Sequence, residues 1–258
     1  MRETTLRLLW SVIILIAASF VCWPVSAQTL YSTGFENPPF TTGPIAGQDG
    51  WQVFGTSGAI QIENMKADSG SQAVEAIPAL DTGQTGPYHI DSTSAGMVDL
   101  SADLYIASSS NPSKWQFGGL GATLTPFLGG MDVYPDGTIH TISTGYPMVG
   151  TWTYNTWNHV DLRFDVTHQT YSLLINGSLI AGNIADCGDN STCTGGQTSN
   201  YGAGIFDTFG TEANNDIGYM DNFSVTIVPE ASSVTLFLLG VSGGLVVKPL
   251  RRLIRPRP

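Results

Sequence analysis

The stretch Trp157-Asn158-His159-Val160-Asp161-Leu162-Arg163-Phe164-Asp165-Val166 decides the fold. Val160, Leu162, Phe164 and Val166 alternate with His159, Asp161, Arg163 and Asp165. An extended chain sends successive side chains to opposite faces, so this pattern predicts a strand with one apolar face and one wet face. Tyr171, Leu173 and Ile175 alternate in the same way up to Asn176-Gly177. Both residues of that dipeptide accept positive φ, which predicts a tight hairpin with Ser178 to Ala181 returning.

The same period recurs on both sides. In Val98 to Ile106 the apolar set Val98, Leu100, Ala102, Leu104 and Ile106 alternates with Asp99, Ser101 and Asp103. Further strands are expected at Thr29–Phe35, Trp51–Phe54, Ala59–Glu63, Gln72–Ile77, Gln116–Thr123, Gly130–Tyr134, Thr138–Ser143 and Ile217–Val228, with a turn at Pro135-Asp136-Gly137. No sustained helical period interrupts them. Many short strands with one polar face each predict an all-β, antiparallel two-sheet sandwich over residues 28–227. Trp51 and Trp157, at strand starts, are expected in its core.

The two ends read differently. Arg2 and Arg7, the apolar run Leu8 to Val21 and the small residues Val25-Ser26-Ala27 predict a signal peptide over residues 1–27. Val21 stands where a lipobox needs a small residue, so Cys22 is not read as a lipid anchor. At the far end, Val228-Pro229-Glu230-Ala231-Ser232 precedes the uncharged run Ala231 to Val247, which would reach about 25 Å as a helix. Five of the ten Lys and Arg residues then crowd into 248–258. Basic flanks stay cytoplasmic, so this end predicts a membrane segment over 231–247 with its tail inside and residues 28–228 outside.

The order of a Val-Pro-Glu motif, an apolar helix and an Arg-rich end resembles the PEP-CTERM sorting signal of bacterial envelope proteins, here over residues 228–258. The resemblance implies that an exosortase recognises Val228, Pro229 and Glu230, and that the secretion machinery and the membrane are partners. Ala231 replaces the second proline of that motif. The expected location is the cell surface or extracellular space, after transient or stable anchoring.

Without the two terminal signals, three basic residues, Lys66, Lys114 and Arg163, remain against nineteen acids, a net charge near −16. Such a domain repels nucleic acid and other polyanions, and leaves cations, neutral glycans and matrix components as partners. Cys187 and Cys193 remain as a pair in an oxidising compartment and are expected to form a disulfide.

The Trp157–Asp165 strand with the Tyr171–Gly177 hairpin resembles laminin G-like and concanavalin A-like domains. Gly34-Phe35-Glu36, Asp49-Gly50-Trp51 and Tyr219–Val225 resemble the edges of carbohydrate-binding jelly rolls. Both resemblances imply a jelly roll, the concanavalin A-like topology being the one expected, and, by analogy, a non-catalytic module that binds or structures extracellular polysaccharide. A structural surface protein that contacts other proteins, and a glycoside hydrolase or lyase with unrecognised catalytic residues, are the alternatives.

The chemistry in the sequence is sparse. The Glu-x-Asp-x-x-Glu strand of sandwich glucanases is missing, and Asp161 and Asp165 flanking Arg163 read as a salt-bridged, solvated face. Gly240-Val241-Ser242-Gly243-Gly244 fits a hydrolase pattern, but it lies in the C-terminal apolar run. No catalytic residue is assigned and no cofactor is expected, a structural calcium apart. Along Ile217, Tyr219, Asp221, Phe223, Val225 and Ile227 the period places Asp221 on the apolar face, costly unless it is paired. The jelly-roll resemblance implies a calcium held by Glu36 and Asp221, with Asp216 or backbone oxygens assisting. The other reading of Asp221 is that it accepts backbone N–H bonds or faces a bulge. Trp115, Tyr146, Trp152 and Tyr154, in Gly-, Ser- and Thr-rich surroundings, are the candidate glycan-binding aromatics.

Overall fold

A computed structural model of the chain describes residues 27–55, 60–78, 83–124, 127–186, 200–210 and 216–229. The expected signal peptide, the Cys187–Cys193 disulfide, Glu230 and the C-terminal membrane segment lie outside these residues. Ala27–Val228 form one compact unit. Its described strands are Gln28–Thr33 (β1), Gly43–Pro44 (β2), Gln52–Phe54 (β3), Ile60–Glu63 (β4), Ala73–Ala76 (β5), Gly83–Thr93 (β6), Met97–Ile106 (β7) and Lys114–Gly121 (β8). Phe127–Val133 (β9), Thr138–Thr141 (β10), Met148–Thr151 (β11), Trp157–Asp165 (β12), Thr170–Ile175 (β13), Ser178–Ala185 (β14), Tyr201–Gly210 (β15) and Gly218–Ile227 (β16) follow.

Two antiparallel sheets form a jelly-roll sandwich. The first runs β14-β13-β12-β7-β16-β5-β4-β2, with β1 also on β16; the second runs β11-β10-β9-β8-β15-β6-β3. The deciding stretch behaves as its period requires. Val160, Leu162 and Phe164 lie opposite Ala102, Leu100 and Val98, and all six are buried. On the wet face Arg163 lies between Asp99, at 3.7 Å, and Asp161, at 3.8 Å. The Asn176-Gly177 hairpin has φ of 50° and 74°, as a two-residue turn of this type demands.

Four strands were not expected: β2, β6, β11 and β15. β6 and β15 are neighbours inside the seven-stranded sheet and are glycine-containing, so they lack the β-branched run that marks a strand. Glycine has a packing reason here. A Cβ on Gly204 would come within 2.6 Å of Phe223 from the other sheet, and one on Gly119 within 2.8 Å of Phe164. The core fills the space between the sheets with aromatic rings pressed directly onto backbone.

The last strand corrects the expected faces. Tyr219 pairs with Tyr105 and Asp221 with Asp103, both on the outer side of β7, and the register then shifts before Ser224. Asn222, at φ 49°, is the extra residue of this bulge. One inserted residue reverses the parity, so Phe223 and Val225 point into the core while Tyr219 and Asp221 point out. Trp157, opposite Tyr105, is likewise on the outer face and half-buried, not in the core. Trp51 is fully buried.

Candidate functional site

The outer face of the seven-stranded sheet carries a polar row that crosses four strands. Asp207 on β15 pairs with Gln116 on β8, Gln116 with Asp132 on β9, and Asp132 with His140 on β10. The alternation that buries Trp115, Phe117, Met131, Val133 and Phe206 turns these residues the other way. Side-chain hydrogen bonds tie Asp207, Gln116 and Asp132 together by way of Gln84. Gln116 Nε2 donates to Asp132 Oδ1 at 3.0 Å, and Gln84 Nε2, from β6, donates to Gln116 Oε1 at 3.3 Å and to Asp207 Oδ2. Lys114 Nζ meets Asp132 Oδ2 at 3.1 Å. His140 Nδ1 donates to the Tyr146 carbonyl at 2.7 Å.

Asp132 and Asp207 are fully buried, although they face outward. Burial pushes the Asp132 carboxyl above its ordinary range, and the Lys114 ammonium draws it part of the way back. Burial pushes Asp207 well up, against the bond from Gln84, and Asp207 Oδ1 has no hydrogen-bond partner among the described residues. These carboxylates hold Lys114, Gln84 and Gln116 in place from beneath. What reaches solvent is the layer above: Gln84, Lys114 and His140, with the half-buried rings of Phe54, Tyr88, Phe209 and Tyr134 around them. Phe54 and Tyr88 lie 5.9 Å apart, Lys114 Nζ sits 3.9 Å over Phe209, and Tyr134 lies 4.4 Å from His140. Ring faces beside fixed donors and acceptors can stack on a sugar ring and hydrogen-bond its hydroxyls.

The aromatics expected to bind sugar from the sequence are elsewhere. Trp115 is 1% exposed, stacked on Phe206 at 5.3 Å, and its Nε1 donates to Asp216 at 2.5 Å. Trp152 is also buried, and half-buried Tyr154 packs against the core. These three are therefore corrected to packing residues: strand and loop side chains facing the core fill it with rings. Tyr146 is half-buried in the turn after β10, at φ 44°. Gln84, Lys114, Gln116, Asp132 and Asp207 are site residues that no motif in the sequence marks. Lys114 and Gln116 do alternate with Trp115 and Phe117, but only the register shows that the polar positions of different strands form one row.

Glu36 and Asp221 both hold the segment 68–72. Asp221 Oδ2 accepts the amides of Asp68 and Ser69, each at 3.0 Å, and its Oδ1 accepts that of Asn222 at 2.7 Å. Burial raises the Asp221 carboxyl, and these amides pull against it. Glu36 accepts the amides of Ser71 and Gln72, and the Ser71 bonds hold its carboxyl below the usual range. Asp216, the expected assistant, accepts the Ser113 amide at 2.9 Å and the Trp115 indole. Backbone amides thus supply the compensation assigned to calcium from the sequence. Among the described residues no group of three or more His, Cys, Asp and Glu side chains is arranged to hold a metal.

No family model and no curated protein matches this chain. Solved structures of similar fold exist at low identity. A sialidase is 9% identical with a TM-score of 0.54; the match covers 81% of this chain and 19% of the sialidase. The cellulose induced protein Cip1 is 12% identical at TM-score 0.52, over 77% of this chain and 97% of that one. The carbohydrate recognition domain of Emp47p is 9% identical at TM-score 0.50, over 80% and 99%. At these identities the likeness is one of fold, and fold does not carry function with it.

Proposed function

We propose that this chain is an exported envelope or extracellular-matrix protein whose sandwich binds polysaccharide without transforming it, through the outer face of the seven-stranded sheet. One observation carries the reading: half-exposed Phe54, Tyr88, Phe209 and Tyr134 surround Gln84 and Lys114, which two buried carboxylates hold in place. The fold shared with a carbohydrate recognition domain supports it. Both aspartates are shielded from solvent, which favours a positioning role over attack on a substrate. Export rests on the signal-peptide pattern, and sorting by an exosortase on the Val228-Pro229-Glu230 signal.

The test is co-sedimentation of the Ala27–Val228 unit with the producing cell's own extracellular polysaccharide, alongside Tyr88→Ala and Phe209→Ala. Each lost stacking ring weakens binding by roughly threefold to tenfold. No sedimentation of the unaltered unit sinks the reading. Accumulation of reducing ends or unsaturated sugars replaces it with an enzymatic one.

A further inference from the structure

The opposite outer face carries a second row. Gln61 on β4, Glu75 on β5, Tyr219 on β16, Tyr105 on β7 and Trp157 on β12 stand side by side across five strands. The Tyr105 ring lies 5.6 Å from Trp157 and 5.8 Å from Tyr219. Glu75 is fixed beside the rings: it accepts from the Tyr219 hydroxyl at 3.3 Å and from Gln61 Nε2 at 2.7 Å. Aromatic side chains on a wet sheet face, in one unbroken line, are not explained by the core.

An ammonium group already sits there. Lys66 Nζ lies 4.0 Å over the centre of the Tyr105 ring and 5.9 Å from that of Tyr219. Its segment is fastened through backbone: Glu63 accepts the amides of Met65 and Lys66, and Asp221 accepts those of Asp68 and Ser69. The Lys66 side chain is not part of that fastening. It forms no ion pair among the described residues, so it can swing off the rings while the loop stays in place. The surroundings favour another cation in its stead. Asp103 lies in the adjacent register row, and the domain's net charge is near −16.

We propose that this row binds the protonated amino group of glucosamine-type sugar units, and that Lys66 is a built-in occupant which the ligand displaces. An amino sugar carries an ammonium and a flat ring face on one rigid unit. The row offers a ring-and-carboxylate cage for the first and half-buried Trp157 for the second, with His159, two residues along β12, on the same face for hydroxyls. A polyamine or basic peptide would use the cage alone. The inference extends the polysaccharide reading to a second face and stands on different residues.

The test is calorimetric titration of the full-length chain, purified in detergent, with glucosamine oligomers and with N-acetylglucosamine oligomers of equal length, at mildly acidic pH. Glucosamine oligomers are expected to bind, and Lys66→Met to tighten them about fivefold, the size of one cation–π contact no longer competed for. Tyr105→Leu and Trp157→Leu should each lose the binding while keeping the wild-type melting profile within a few degrees; Trp157→Leu serves alone if the tyrosine variant misfolds. The N-acetylated oligomers should be indifferent to Lys66. The proposal is overturned if the unaltered chain and Lys66→Met both fail to bind glucosamine oligomers, or if Lys66→Met binds them no more tightly than the unaltered chain. It is also overturned if spermidine or an oligolysine peptide binds the row as tightly as the sugar. The Lys66 readout belongs to this face, and sedimentation of the Tyr88 and Phe209 variants to the other, so failure of one reading is separate from failure of the other.

Discussion

Replacing Lys114 by methionine keeps the side chain's length and its packing over Phe209, and removes the charge that faces Asp132. The pair is asymmetric: the Lys114 side chain is 26% exposed and that of Asp132 is 0%. After the substitution Gln116 still donates to Oδ1, but Oδ2 loses its ammonium. Breaking a buried pair from one side costs about 3–5 kcal/mol, and the partial exposure of Lys114 puts this case near the lower figure, about 3 kcal/mol. For a domain of this size that is a fall in Tm of about 6–12 °C. Burial raises the folded-state pKa of Asp132, and losing Lys114 raises it further. A raised carboxylate destabilises the fold most once it is ionised, so the deficit is largest at neutral pH and shrinks as acid protonates Asp132. The double variant Lys114→Met/Asp132→Asn removes both charges and should return to within about 1 kcal/mol of wild type. Urea melts of the four proteins at neutral and acid pH measure all of this. A single-variant cost below about 1 kcal/mol, or a double variant no better than the single, refutes the buried-pair account.

Three other outcomes follow from the same structure. Burial lifts Asp186, at the end of β14, to about 7. The stability this group contributes is present below its unfolded pKa and is lost as pH rises through about 7; Asp186→Asn should flatten that slope and gain roughly 2 kcal/mol at pH 8, after allowance for solvent screening, in melts across pH. Gly204→Ala drives a methyl to within 2.6 Å of Phe223 and 2.8 Å of Leu100, and should cost about 1–3 kcal/mol by urea titration, with glycan affinity unchanged. Because Asp221 and Glu36 are compensated by amides, a chelator should leave the Tm of the unit where it was; a fall reversed by added calcium would restore the calcium site.

The alternation in Val98–Ile106 and Val160–Val166 was enough to identify two strands and their buried faces, because a period of two is a local property of an extended chain. Asn176-Gly177 announced its hairpin for the same reason: positive φ is a preference of the residues themselves. β6 and β15 gave no such signal. Their glycines and Pro87 depress strand propensity, and their place in the sheet comes from neighbours that cover them and from rings of the facing sheet that need the room.

The candidate site lay further from reach. Asp132, between Met131 and Val133, reads locally as an ordinary outward side chain. It becomes part of a row only through pairing with Gln116 on one side and His140 on the other. The bulge at Asn222 shows the limit most directly, since a single inserted residue moved Tyr219 and Asp221 to the outer face, against the parity read along the strand. Composition and near-neighbour spacing were enough for the alternating strands, the Asn176-Gly177 turn and the acidity of the domain. Register, bulges and the stacking of one sheet on the other decided which side chains stand together, because those depend on residues tens of positions apart that meet only after the chain has closed on its core.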